Sequence, residues 1–313
     1  MNTMFLTVTA NSALDQVCFI KRFSPGTRMV ASKFIESVGG KGFDTSVALR
    51  AINLQTVALG FVAGANGNRL MRLIESYGII HDLIWVEGET RVALLIVEED
   101  YNRHSHIMIG GYSIRMEAQE ELTRRFKNHL LQAKWVILAG SLPEGISPDF
   151  YGRLNQIAKH SQVPVLVDCS GEAALQCIIT PPTVLKMNWP EFNQTFHMDC
   201  QNISSLMKAG QEIRLTFRLP SLVITCGEDG ILAITDQGSY FAVAPRQEPI
   251  NAAGAGDATS AALTWRLSQG DSWREALRWA AAAGAATVLT ERTAECYYSD
   301  IEKIHHLTKI HEI

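Results

Sequence analysis

Asn251-Ala-Ala-Gly254-Ala255-Gly256-Asp257-Ala-Thr-Ser-Ala-Ala-Leu263 is the most informative stretch of the 313-residue chain. Its two glycines allow close backbone approach, and the alanine-rich run behind them has strong helix propensity. It reads as a loop turning into a helix, with the N–H groups of Gly254, Ala255 and Gly256 pointing out of the helix N-terminus. Such a terminus is a natural seat for anionic oxygen. Asp257 falls on the first turn, where the helix dipole also favours a carboxylate. An anion cradle beside a carboxylate suits phosphoryl transfer to an alcohol. The amides stabilise the transferring group and the carboxylate takes the hydroxyl proton. Read alone, the tetrapeptide fits a tight turn followed by an ordinary first-turn acid better, because short motifs match by chance. A dinucleotide-binding loop is excluded, since it lies in the first βα unit and reads GxGxxG. Gly39-Gly40-Lys41-Gly42-Phe43 is not a Walker loop, because no Ser or Thr follows the lysine.

Outward from this loop, short β-type runs alternate with helical patterns. Strands are expected at Phe5–Thr9, Thr56–Phe61, Trp135–Ala139, Pro164–Asp168, Val184–Met187 and Leu222–Thr225. Helices are expected at Gly67–Tyr77, Glu117–Gln132, Asp149–His160 and Ile203–Ala209. The alternation predicts an α/β fold, a mostly parallel sheet with helices on both faces, whose ligands collect beyond the carboxyl ends of the strands. Gln16–Phe23 with Met29–Ser37, and Arg91–Glu98 with His104–Ile109, read as hairpins without helices. They form either a separate small sheet, as a lid or dimer contact, or an extension of the main sheet edge.

Hydrophobic residues make up 47% and charged residues 19%, the balance of a globular protein. A net charge of -4 gives no overall attraction for nucleic acid or anionic lipid, so neither partner is expected. The six cysteines are scattered without CxxC spacing, which reads as buried thiols in a reducing compartment. The N-terminal stretch lacks a basic region, and the run Trp279–Leu289 falls short of the ~20 residues needed to span a bilayer. A soluble cytoplasmic protein is expected. His104 with His106, and His305 with His306, lack a third metal ligand and read as surface histidines. No GxSxG or HExxH motif supports a hydrolase.

Eight motifs in order span the chain. They are Asn11-Ser-Ala-Leu-Asp15, Gly39-Gly-Lys-Gly-Phe-Asp44, Gly88-Glu-Thr-Arg91, Gly140-Ser-Leu-Pro-Glu-Gly145, Asp168-Cys-Ser-Gly-Glu172, Lys186-Met-Asn-Trp-Pro-Glu191, Thr225-Cys-Gly-Glu-Asp-Gly230 and Gly254-Ala-Gly-Asp257. In this order the chain resembles a PfkB-type carbohydrate kinase of the ribokinase superfamily. The similar branch holds 1-phosphofructokinase, 6-phosphofructokinase II and tagatose-6-phosphate kinase. The resemblance implies one ribokinase-like three-layer α/β/α domain over 1–313, with a small β lid from about 12–37 and 88–112. It implies ATP and Mg²⁺, a phosphorylated ketose as acceptor and a homodimer through the lid.

By the same resemblance Asp257 is the catalytic base, and the amides of Gly254, Ala255 and Gly256 hold the γ-phosphoryl group. Lys186, Asn188 and Glu191 support the nucleotide phosphates, with Glu191 reaching Mg²⁺ through water; alternatively Glu191 caps the helix at Pro190. Thr225, Gly227 and Gly230 pass beside the ATP. Gly284 lets a helix approach the adenine, or serves helix packing. On the acceptor side, Asp15 accepts from sugar hydroxyls, and Gly39 and Gly40 bring backbone to the sugar. Arg28 and Arg91 offer cations to a phosphate, or are solvated charges of the lid. Ser141 reaches the substrate phosphate or closes a turn.

Several positions depart from the resemblance. Ser12 stands where relatives usually have proline, and Asp44 and Ala93 where they have asparagine. The lid strand ends Ile109-Gly110-Gly111-Tyr112 instead of in a proline–glycine pair. A carboxylate accepts but does not donate, and it repels a nearby phosphate. The acceptor is therefore expected to differ from fructose 1- or 6-phosphate, with Asp44 among the residues that select it. The remaining alternatives are a kinase of an unphosphorylated sugar or nucleoside, and a non-catalytic sugar-phosphate-binding regulator.

Overall fold

The computed structural model describes residues 4–101 and 103–313. In chain order the elements begin with β1 (Met4–Thr9), β2 (Ala13–Ile20), β3 (Lys33–Gly39), α1 (Lys41–Ala51), β4 (Thr56–Val62) and α2 (Gly64–Ser76). They continue through β5 (Ile80–Trp85), β6 (Arg91–Glu98), β7 (Arg103–Ile109), α3 (Met116–Leu130), β8 (Ala133–Ala139) and α4 (Phe150–His160). Next come β9 (Val165–Asp168), α5 (Gly171–Cys177), β10 (Val184–Asn188), α6 (Trp189–Phe196), α7 (Ile203–Thr216) and β11 (Ser221–Thr225). The chain closes with β12 (Ile231–Thr235), β13 (Gly238–Val243), α8 (Ala255–Ser268), α9 (Trp273–Thr287), α10 (Tyr298–Leu307) and β14 (Lys309–Glu312).

Ten strands form the main sheet in the order β14-β13-β12-β11-β10-β9-β8-β1-β4-β5. From β5 to β11 every pairing is parallel, and β12 to β14 add an antiparallel edge. β1 and β4 are buried along their whole length, as unbroken apolar runs in a doubly covered parallel sheet must be. One face packs Phe126, Phe150, Tyr151 and Phe192 from the helices onto Leu6, Val8 and Leu138. The other packs the alanine-rich walls of α8 and α9 onto Phe5, Ile137 and Val223. The result is a three-layer α/β/α sandwich. Among the described residues, no helix is long and apolar enough to cross a membrane.

β3, β2, β6 and β7 form a separate four-stranded sheet in that order. Its pairings are antiparallel except β2 with β6, which run parallel in the register Ala13↔Arg91 and Asp15↔Ala93. One face is a small core of Ala13, Val17, Phe19, Leu95 and Val97. The other leaves Phe34, Ile107 and Ile109 exposed.

Several expectations need correction. The strands of the first hairpin begin and end elsewhere, and residues 21–32 form a loop around Ser24-Pro25-Gly26, where Gly26 has φ 78. The helix expected over 203–209 runs on to Thr216. His305 is not a surface histidine: it is buried, stacks on Trp279 with ring centroids 4.1 Å apart, and bonds Glu275 at 2.8 Å. Helix α1 had no amphipathic signature, because Gly42 through Leu49 are all buried. Its hydroxyls are satisfied internally instead: Ser46 Oγ lies 2.7 Å from Thr7 Oγ1 and 2.9 Å from Thr56 Oγ1.

Candidate active site

The loop before α8 is shaped by Gly254, whose φ of 81 lies in the left-handed region. A Cβ at this position would overlap the backbone of Ala294, so only glycine fits. Ala255 N–H donates to Ala252 O at 3.4 Å, and Asp257 N–H to Gly254 O at 3.0 Å. Among the described residues, nothing accepts from the N–H groups of Gly254 and Gly256. A helix start with free amides and a local positive dipole favours an anion.

Asp257 sits beneath this loop at 7% exposure. Burial pushes its carboxyl up to about 7, with the charge of Asp168 adding to the rise and Lys41 and Lys186 opposing it. Asp168 ends β9 and organises the cations. Lys41 Nζ lies 2.9 Å from its Oδ1, Lys186 Nζ 2.5 Å from its Oδ2, and Ser260 donates to Oδ2 at 3.3 Å. Burial works against the Asp168 charge, but the two ammonium groups outweigh it and hold the carboxyl well below its ordinary range. Lys41 Nζ also reaches Glu191 Oε1 at 3.1 Å.

Two cavities flank the Gly254 loop. One, of about 340 Å³, is bounded by Thr225, Gly227, Gly230, Ala255, Gly256 and Gly284. The other, of about 620 Å³, takes in Asp15, Gly40, Lys41, Asp44, Arg91, Ser141, Glu191 and Gly254. A two-substrate transfer needs this arrangement, with donor and acceptor entering from opposite sides of one anion-holding turn.

Residues 7–300 match the model of the pfkB family of carbohydrate kinases. The chain belongs to that family. It is 28% identical over 302 residues to an ATP-dependent 6-phosphofructokinase isozyme 2 of Mycobacterium tuberculosis, covering 96% of this chain and 89% of that one. A tagatose-6-phosphate kinase of Staphylococcus epidermidis is 26% identical over 316 residues, covering 99% and 100%. Among solved structures, a possible 1-phosphofructokinase from Thermotoga maritima superposes with TM-score 0.91 at 24% identity, covering 99% of both chains. This pfkB kinase thus has the ribokinase-like fold, and it is an ATP-dependent sugar kinase.

The kinase places its sequence-assigned residues unevenly. Thr225 ends β11 and pairs in register with Asn188. Gly230, at φ 128, closes the turn into β12, where a Cβ would overlap Ala242 O. Gly284 borders the smaller cavity and also packs on α8, since a Cβ there would lie 2.8 Å from Thr259 Oγ1. Lys186 is fully buried under Gly256 and is committed to Asp168. Ser141 Oγ accepts from Asn11 Nδ2 at 3.1 Å, and Arg91 Nη2 donates to Asn11 O at 3.0 Å. Gly39 is required because a Cβ would overlap Asp15 Oδ1. Arg28 is not brought to the site by this chain: it lies exposed in the 21–32 loop and borders neither cavity.

Sequence reading passed over Lys41 and Thr293, and read His106 only as a surface histidine; all three border the larger cavity. Lys41 was legible in the motif Gly39-Gly-Lys-Gly, but only the glycines were read.

Glu191 serves as the helix cap of α6 as well as a site residue. Its backbone N–H bonds Asn188 Oδ1 at 2.8 Å, and its Oε2 accepts from Asn188 N at 2.8 Å. Both carboxylate oxygens are engaged, and no group of three or more His, Cys, Asp or Glu side chains among the described residues is arranged to hold a metal. This donor set fits Mg²⁺ only through its water shell.

Proposed function

We propose that this pfkB kinase transfers the γ-phosphoryl group of ATP to a hydroxyl of a phosphorylated ketose, with Asp257 as general base. One observation carries the reading: Asp257 is buried under the single loop that separates two cavities and presents the free amides of Gly254 and Gly256. The acceptor O–H bond breaks and its proton passes to an Asp257 oxygen. The acceptor oxygen forms a bond to the γ-phosphorus, and the bond from that phosphorus to the bridging oxygen breaks, releasing ADP with the electron pair. The amides of the turn hold the migrating group, and Lys186 and Lys41 supply positive charge below it. Mg²⁺ on the nucleotide phosphates would neutralise their charge, with Glu191 and Asn188 facing its waters.

The acceptor class follows from the named relatives and from Arg91, a cation at the rim of the larger cavity suited to bidentate contact with phosphate. Asp44 sets this chain apart. It is 4% exposed, its Oδ1 has no hydrogen-bond partner among the described residues, and Ala93, which also borders the larger cavity, brings no polar side chain there. Burial, then the charges of Asp15 and Asp257, push its carboxyl well above the ordinary range. Held toward its protonated form, the carboxyl donates as well as accepts and does not repel a phosphate, so Asp44 at this wall is compatible with a phosphorylated ketose and is a candidate for selecting among them. Residues 1–313 act as one kinase unit with the small sheet as lid, and the exposed Phe34, Ile107 and Ile109 face supports a homodimer through it. The free cysteines, all buried but Cys18, support a reducing, cytoplasmic setting.

A panel of ketose phosphates and free sugars, with ATP and Mg²⁺, tests the reading. Turnover is expected with at least one phosphorylated ketose. Turnover confined to unphosphorylated sugars or nucleosides would refute the acceptor class.

A further inference from the structure

Thr293 lies in the turn after α9, outside every motif read above, yet it touches both halves of the site. Its Oγ1–H donates to Asp15 Oδ2 at 2.8 Å. Its N–H donates to Ser37 Oγ at 3.1 Å, and the neighbouring Arg292 Nη1 donates to Glu36 O at 2.7 Å. On its other side, Ala294 N–H donates to Ala253 O at 3.1 Å, and the Ala294 backbone is what excludes a Cβ at Gly254. Three consecutive residues therefore fasten β2 and β3 of the small sheet to the anion-holding loop.

We propose that Thr293 is a positioning residue: it fixes the Asp15 carboxylate toward the acceptor cavity and ties the lid to the Gly254 loop. The inference rests on the acceptor reading above. Asp15 Oδ1 lies over the bare backbone of Gly39, so Thr293 on Oδ2 clamps the group from the opposite side. Clamped this way, the carboxylate keeps one oxygen for an acceptor hydroxyl.

The clamp also supports the charge on Asp15. Burial pushes that carboxyl up to about 7, while the Thr293 hydrogen bond and the Arg91 guanidinium from β6 pull the other way. Asp44 from α1 and Asp257 from α8 are the neighbouring carboxyls, each pushed up in part by Asp15. Deleting the hydroxyl removes the first of the two favourable partners, so the carboxyl must titrate higher still.

The test uses Thr293→Val, with Thr293→Ala as a second deletion and Thr293→Ser as rescue. Carboxyl ¹³C NMR follows the Asp15 titration, its resonance assigned by loss in Asp15→Asn. Both deletions are expected to move the midpoint upward, and Thr293→Ser to restore it. With whichever ketose phosphate of the panel turns over, acceptor KM is expected to rise roughly tenfold, the loss of one hydrogen bond to a charged group. ATP KM is expected to stay put. An unchanged midpoint, or equal rises in both KM values, would overturn the proposal and leave Thr293 a packing residue. If the parent protein phosphorylates no ketose phosphate of the panel, the acceptor reading falls, and the NMR titration alone still decides whether Thr293 holds Asp15.

Discussion

Asp257→Asn separates a catalytic acid from a merely structural one, because the two roles predict opposite pairs of results. The side chain keeps its shape and loses its charge. As general base, Asp257 supplies about 10²–10⁴ in rate, so turnover should fall by that factor, roughly 3–5 kcal/mol of barrier. Stability should move the other way. The carboxyl titrates at 3.8 when unfolded and about 7 when folded, burial being the main cause. Below pH 3.8 both states are protonated and the group is neutral to stability. Between 3.8 and 7 the unfolded chain ionises first, so stability drops as pH rises, and above 7 the full penalty persists. At 1.36 kcal/mol per unit the ceiling of that penalty is roughly 4 kcal/mol, and an asparagine abolishes it. The variant is therefore expected to melt at a higher temperature at pH 8 and to match the parent near pH 3.5, where both still fold.

The same titration sets the parent's pH–rate profile. A base at about 7 in the free enzyme is roughly half ionised at pH 7 and about one-eleventh ionised at pH 6, so kcat/KM should fall at least about fivefold over that unit. The assay is ADP release, at subsaturating acceptor for the pH profile and at saturation for the variant's turnover, paired with calorimetric melting of both proteins. A variant that keeps turnover within tenfold, or that melts lower at pH 8 as a broken structural contact would, refutes the assignment.

Other substitutions probe the surrounding parts. Gly254→Ala places a side chain at φ 81 against Ala294; it should cost about 1–3 kcal/mol, lower the melting temperature by several degrees and reduce kcat more than it raises either KM. Asp44→Asn restores an amide beside Asp15; it should change the ranking of acceptors in the panel while ATP KM stays within about twofold, and an equal loss for every acceptor would remove Asp44 from selection. Phe34→Asp puts a charge on the exposed face of the small sheet; sedimentation should show a dimer becoming monomer, and an unchanged dimer would place the interface elsewhere.

The central strands were legible because strands buried on both faces must be continuous apolar runs, as β1 and β4 are. The Gly254 loop was legible because its needs are local: a left-handed glycine, small residues and an acid within one turn. What escaped reading lacks a local signature. α1 is buried from Gly42 through Leu49, so no polar stripe marks it as a helix. Thr293 bonds a residue 278 positions away, and nothing in Arg292-Thr-Ala294 announces that partner. Arg28 failed in the opposite sense, since a cation on a predicted lid says nothing about where the loop carrying it will point.

Ser12, Asp44 and Ala93, the positions read as departures from the resemblance, share one location in the structure, beside the larger cavity and outside the Gly254 loop. Lys186, Asp168, Ser260 and the turn around Gly254 interlock through buried hydrogen bonds and packing, where removing one partner leaves a charge or donor unsatisfied. That half tolerates little change. Asp44 and Ala93 instead border the larger cavity, and Ser12 is buried beside it, bonded to Tyr112. At the cavity wall a lost amide or an added carboxyl can be answered by the bound acceptor instead of by the protein. On the proposed reading, a change of acceptor would alter this wall while Asp257 and its loop remain as they are.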